Sequence, residues 1–253
     1  MIASDIVQAE VVVMPIRFTD QVPRMQEFLT LLGFSPRLSR AESWVDMAGG
    51  SGMVALHAAA LSSSSAGDTG LNFEVADLEV LAAQFARAGY VDMEIYDETY
   101  GRAVNVRDQN GTQLTFNERP TDLYGYRLDE PRPEHGIVSM PLRFDPPAGP
   151  FGQFLSAAGF VRLDEGDDEW WRVWRSNGGG LVALHPSADH RAPGSVQFGF
   201  RTREPLDALA GRLKAGGYAD VAVSGEFGGE LTVTDPDDQV VLVQSVPNDT
   251  PLS

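Results

Sequence analysis

The 253-residue chain has no cysteine, which excludes disulfides, thiolate metal sites and a cysteine nucleophile. It is also poor in histidine, with four, and in positive charge, with 19 basic residues against 36 acidic ones. The formal charge of −17 repels phosphate backbones, which argues against nucleic acid as a partner. The same charge would draw in a neutral to cationic small organic molecule. Long apolar runs are missing too. Near the N-terminus the longest, Val11 to Ile16, falls well short of the roughly 18 residues a membrane span requires. The opening Met1-Ile2-Ala3-Ser4-Asp5 lacks the basic and then apolar pattern of a secretory signal, so the expected location is the cytoplasm.

Acidity is spread evenly. Residues 1–128 carry nine basic and seventeen acidic side chains, and 129–253 carry ten and nineteen. The even split follows from an internal duplication. Met14-Pro15-Ile16-Arg17-Phe18 returns as Met140-Pro141-Leu142-Arg143-Phe144, and Leu32-Gly33-Phe34 as Ala158-Gly159-Phe160. Val54-Ala55-Leu56-His57 returns unchanged as Val182-Ala183-Leu184-His185. Ala88-Gly89-Tyr90 matches Gly216-Gly217-Tyr218, and Asp108-Gln109-Asn110-Gly111 matches Asp235-Pro236-Asp237-Asp238. One order and nearly one spacing, kept through both copies, fix a tandem architecture. The expected division is 1–118, a proline-bearing linker over 119–135, and 136–253.

Each copy divides again. Val12 to Phe18 reads as one apolar strand; Met25, Phe28, Leu29 and Leu32 then recur at helical spacing before Gly33. Strands are expected at Trp44–Met47 and Met53–His57. The pattern then restarts with a strand at Leu71–Val75 and a helix bearing Leu78, Leu81, Phe85 and Ala88. Strands near 93–96, 103–106 and 113–116 complete it. The second copy repeats this, with helices through Phe151, Phe154, Leu155 and Ala158 and through Leu206, Leu209 and Leu213. The fold class is α+β: four βαβββ modules forming two cupped mixed sheets with helices packed outside. The module arrangement resembles the glyoxalase/bleomycin-resistance protein/extradiol dioxygenase (vicinal oxygen chelate) superfamily over about residues 11–118 and 136–246.

The resemblance implies where a metal would be held, in four strand positions that typically read His, Glu, His and Glu. They map here to Val13, Ala55, Gly70 and Thr115, and in the second copy to Ser139, Ala183, Ser195 and Leu242. None is a good ligand for a hard or borderline divalent ion. No metal, cofactor or catalytic residue is therefore expected, and the metal-dependent activities of the superfamily lose their chemical basis.

Strand alternation then predicts the cup lining. Ile16 and Phe18 are assigned to the helix side, which turns Arg17 into the cup. Leu56 is assigned to the core and His57 to the cup, together with Asn72, Glu74, Asn105 and Thr115. The second copy contributes Arg143, His185 and Gln197. Of Trp170, Trp171 and Trp174, which follow the acidic stretch 164–169, Trp171 joins the candidate ligand-binding set, because indoles stack on flat ligands and attract cations. Core packing of the tryptophans, backbone-bonded strand-end histidines and ion-paired arginines remain the structural alternatives. The functional expectation is metal-independent binding of a small organic molecule, as in sequestration of an aromatic or cationic antibiotic. A metal-independent lyase or isomerase and a regulatory binding module are the other readings. In the bleomycin-resistance branch two such pairs of modules meet as a dimer. Here one chain carries both, as a monomer or a homodimer.

Overall fold

Proline breaks the opening strand of each half. Pro15 has no N–H to give to a ladder, so the expected single strand is two, Val11–Val13 and Ile16–Thr19. Pro141 separates Val138–Ser139 from Leu142–Phe144 in the same way. In this computed structural model, which describes residues 8–98, 101–121, 123–164, 169–187, 191–225 and 229–246, the two pieces enter different sheets. Val11–Val13 pairs antiparallel with Asn72–Val75, while Ile16–Thr19 pairs parallel with Met53–Ala58. The broken strand thereby stitches two consecutive modules edge to edge, and each half becomes one cup made of two sheets.

Among the described residues there are four sheets of five or six strands each, and four α-helices cover their convex faces: α1 (Val22–Leu32), α2 (Leu78–Arg87), α3 (Phe151–Ala157) and α4 (Leu206–Ala215). Gly33 ends α1 at φ 107°, where the left-handed conformation lets its N–H reach back to Thr30 O. Asp77 caps α2 by accepting from the Val80 N–H. Sequence periodicity did not reveal the strand Ser35–Arg40. Nor is the stretch 119–135 only a connection, since Arg127–Leu128 adds an edge strand to Ser35–Arg40.

Strands pair within a half, but the apolar cores form across the halves. Leu78, Leu81 and Phe85 of α2 share one core with Phe151, Phe154 and Leu155 of α3. Met25, Phe28 and Leu29 of α1 share another with Leu206, Leu209 and Leu213 of α4. The helices lie outside the cups yet inside the molecule.

The halves meet most closely at two glycine turns. Gly178 N–H donates to Val11 O, and Val13 N–H to Gly179 O. In return Gly50 N–H donates to Ile137 O, and Ser139 N–H to Ser51 O. Gly180 sits at φ +86°, and a Cβ placed there would stand 2.6 Å from Val13 Cβ. Only glycine satisfies both the backbone angle and the approach.

Arg17 and Arg143 close this arrangement, and their expected place in the cups is corrected by it. Ile16 and Phe18 face the first cup, which turns Arg17 to the helix side, where it is 1% exposed. Its Nη2 donates to Asp235 Oδ2 of the other half at 2.8 Å, and its Nη1 donates to Gly67 O. Arg143, also 1% exposed, donates to Asp108 Oδ2 at 2.6 Å and to Asp145. Each guanidinium lies over a ring of the second half, Arg17 4.3 Å from the Phe198 centroid and Arg143 3.7 Å from that of Phe151. The duplicated Arg and the duplicated Asp thus clasp reciprocally across the halves. Removing one partner strands the other charge in the interior, at a cost of about 3–5 kcal/mol. Arg17→Ala is expected to lose that much stability in a urea melt; a loss within 0.5 kcal/mol would remove the clasp from the account of the fold.

Candidate functional site

The two concave faces carry one repeated cluster. In the first cup Val12, Met14, Ile16, Met53 and Ala55 form an apolar patch against which Phe18 and Trp44 pack. His57 stands beside them, 5.3 Å from the Trp44 ring at 86° and 5.6 Å from Phe18. Its Nδ1 lies 2.8 Å from Ala58 O. A carbonyl only accepts, so Nδ1 carries the hydrogen and the neutral ring keeps its lone pair on Nε2. In the second cup His185 Nδ1 lies 2.8 Å from Pro186 O, with Trp171 at 6.3 Å and Phe144 at 6.1 Å. Among the described residues neither Nε2 has a hydrogen-bond partner.

Beyond this shared cluster the floors diverge. In the first cup Arg37 donates from Nη2 to Glu74 Oε2 at 2.6 Å and to Asp46 Oδ2 at 2.9 Å. Arg119 Nε reaches Glu74 Oε1 at 3.0 Å, and Trp44 Nε1 reaches Asp46 Oδ1 at 2.7 Å. Burial pushes the Asp46 carboxyl above its ordinary pKa against the opposing pull of Arg37. Burial alone would lower the Arg37 pKa, but the hydrogen bonds and charges of Glu74 and Asp46 outweigh it and raise it. The second cup has Val173 opposite Ala183, where the first has Asp46 opposite Ala55. It has Arg201 opposite Val138, where the first has Glu74 opposite Val12. Its apolar patch, Val138, Met140, Leu142, Phe144, Val173, Leu181, Ala183, Leu242 and Val246, is larger.

The structure places His57, Asn72, Glu74, Asn105 and Thr115 on the first concave face. Thr115 lies opposite both Asn72 and Asn105, and its hydroxyl donates to Asn105 Oδ1 at 2.8 Å. His185, Trp171 and Gln197 lie on the second, with Gln197 opposite Leu142 and its amide donating to Val240 O at 2.8 Å. Arg17 and Arg143 are absent from both. Trp174 is a core residue, and Trp170 is 60% exposed. Of the acidic stretch before the tryptophans, residues 165–168 lie outside the described residues, as does the N-terminal pentapeptide. Asp46 and Arg37 escaped the sequence reading. The alternation Trp44-Val45-Asp46 was a usable signal for the first. The second sits where the register shifts between Pro36 and Leu38, and a bulge of this kind re-aims a side chain without warning in the sequence.

A divalent ion does not fit either cup. The first-strand metal positions are corrected by one residue, since Val13 packs on the helix side and Val12 and Met14 face the cup. Neither assignment supplies a donor. The first cup's floor carboxylates are already held, Glu74 by Arg37 and Arg119 and Asp46 by Arg37 and Trp44. Among the described residues no group of three or more histidine, aspartate or glutamate side chains gathers as a ligand set. No described helix is long and apolar enough to cross a membrane.

No protein-family model and no curated protein matches the chain. Solved structures do. A catechol 2,3-dioxygenase superposes with a TM-score of 0.60 at 12% identity, over 98% of this chain and 91% of the other. The E323L mutant of homoprotocatechuate 2,3-dioxygenase from Brevibacterium fuscum gives 0.59 at 16%, over 97% and 74%. A xylose isomerase-like TIM barrel/4-hydroxyphenylpyruvate dioxygenase fusion protein gives 0.60 at 13%, covering 96% of this chain, which spans about half (49%) of the fusion's length. These proteins belong to the vicinal oxygen chelate superfamily, and their likeness to this chain is one of fold. Elemental analysis of protein purified without chelators is expected to find no stoichiometric zinc, iron, manganese or nickel. One ion per cup would overturn the reading of the donor positions.

Proposed function

We propose that this chain, with the vicinal oxygen chelate fold, binds a small organic molecule in its cups without a metal. The observation that carries the reading is the duplicated Phe–His–Trp cluster. In both cups an imidazole is held by its Nδ1 between two aromatic rings and leaves an Nε2 lone pair without a partner among the described residues. Flat apolar walls with one oriented acceptor suit an aromatic or cationic molecule that brings an N–H or O–H donor. Sequestration of such a molecule, as of an antibiotic, requires nothing more. The chain's net charge of −17 supports a neutral to cationic ligand. A metal-independent lyase or isomerase is the second reading, favoured by the same feature, since a fixed lone pair on Nε2 is what a general base needs. Stoichiometric protection of the ligand without product supports sequestration, and turnover supports the enzyme.

The histidines and their neighbours can be separated. His57→Ala or His185→Ala is expected to weaken binding in its own cup by about 1 kcal/mol, the net worth of one hydrogen bond, with the fold intact. Leu56→Ala or Leu184→Ala, one residue earlier and fully buried on the helix side, is expected to cost about 2–5 kcal/mol of stability. A ligand titration paired with a urea melt of each variant measures both. Histidine variants that bind normally but unfold early would make the imidazoles structural.

Affinity for a cationic ligand is expected to fall between low salt and 0.15 M salt, where screening sets in over roughly 8 Å. Titrations of matched cationic and anionic analogues at both ionic strengths check this. Tighter low-salt binding of the anionic analogue would contradict it.

A further inference from the structure

A hollow of about 460 Å³ lies at the far end of the other sheet of the first cup. It opens on the strands Glu94–Glu98, Gly101–Arg107 and Gln113–Glu118, on the face turned away from α2. Register places its side chains in rows. Glu94, Asn105 and Thr115 lie side by side across three strands, and Arg107 lies opposite Gln113 in the neighbouring row. Tyr96 stands next along on the same face of its strand. Val91 and Asp92 complete the rim, and Met93 beside them packs against the core under α2. Val91 is 79% exposed although it is apolar.

The polar groups here are unevenly used. Arg107 gives one bond, from Nη1 to Gly111 O at 3.1 Å. Its remaining N–H groups, the Gln113 amide and the Glu94 carboxylate have no partner among the described residues. A guanidinium edge and a carboxylate one row apart, beside an exposed valine, match a ligand bearing both charges and an apolar group. A planar guanidinium pairs with a carboxylate through two parallel bonds, and Glu94 and Asp92 offer acceptors to an ammonium group. We propose that this hollow binds a small zwitterion of the α-amino-acid type, with Arg107 taking the carboxylate, Glu94 the ammonium and Val91 the side chain. The site is separate from the Phe18–His57–Trp44 cluster, which lies on the other sheet of the cup, and does not rest on that cluster binding anything.

The test titrates the full chain with phenylalanine, phenylalanine amide, which lacks the carboxylate, and N-acetylphenylalanine, which lacks the ammonium group. Ligand-observed NMR reads the binding. Saturable binding of phenylalanine is expected, with each analogue weaker by about tenfold, as loss of one charge-assisted bond implies. Arg107→Met should remove the preference for phenylalanine over its amide, and Glu94→Gln the preference over the acetylated form. Binding of phenylalanine that His57→Ala removes and Arg107→Met leaves intact would belong to the aromatic cluster and would overturn this site, so the two readings fail distinguishably. No saturable binding of phenylalanine, equal binding of the three compounds, or an Arg107→Met variant that discriminates like the parent would each overturn the proposal.

Discussion

The arrangement of this molecule depends on two buried charges meeting two others across its halves. Arg17 reaches Asp235, and Arg143 reaches Asp108. All four side chains are almost completely shielded from solvent, so each half on its own would hold an uncompensated charge. The aspartates are prepared for the role by their own turns. Asp108 Oδ1 accepts from the Asn110 and Thr112 N–H groups, and Asp235 Oδ1 from those of Asp237 and Gln239. That leaves Oδ2 of each aimed at the arginine of the other half. Burial pushes the Asp235 carboxyl up and the Arg17 guanidinium down, so the pair persists because the surrounding core fixes its geometry. The glycine turns supply that geometry, since Gly52 and Gly180 bring the two backbones close enough for the arginines to reach.

With the halves set in this way, every helix serves two sheets of different origin, and the concave faces turn outward. The cups are then free of the work of stability, and they have diverged. The first keeps a charged floor in which Arg37 joins a carboxylate from each of its two sheets. The second has put valine where the first has Asp46 and arginine where the first has Glu74. The Phe–His–Trp cluster is common to both, with the apolar residues beside it, Val12, Met14 and Ala55 in the first and Val138, Met140 and Ala183 in the second. Two receptors of unequal chemistry on one frame follow directly from duplication, because the clasp constrains the convex faces and leaves the concave ones to vary.

The sequence carried the repeat, the four modules, three of the helix boundaries to within two residues and the inward direction of His57, Asn72, Glu74, Asn105, Thr115, His185 and Gln197. These are local or periodic properties. Alternation with period two gives the face of every residue in a strand once one residue is anchored, and Val54-Ala55-Leu56-His57 was anchored correctly by its apolar leucine. The same rule failed for Arg17 and Arg143. There the anchor was wrong, because Ile16 and Phe18 are apolar for the cup and the charged residue between them is the one buried against helices. Hydrophobicity assigns a residue to an interior, and this molecule has apolar interiors on both sides of its sheets.

Fold class and duplication were thus decided by the sequence alone, since each depends on residue identity and spacing along one chain. The partner of each arginine, the crosswise cores, the Arg37 bridge and the hollow at Arg107 were decided only by tertiary structure. They join residues as far apart as Arg17 and Asp235, and a charge carries no mark of which distant opposite charge will lie within 3 Å of it. That choice follows from the angle at which four sheets meet, which proline breaks and glycine approaches set together and no single segment encodes.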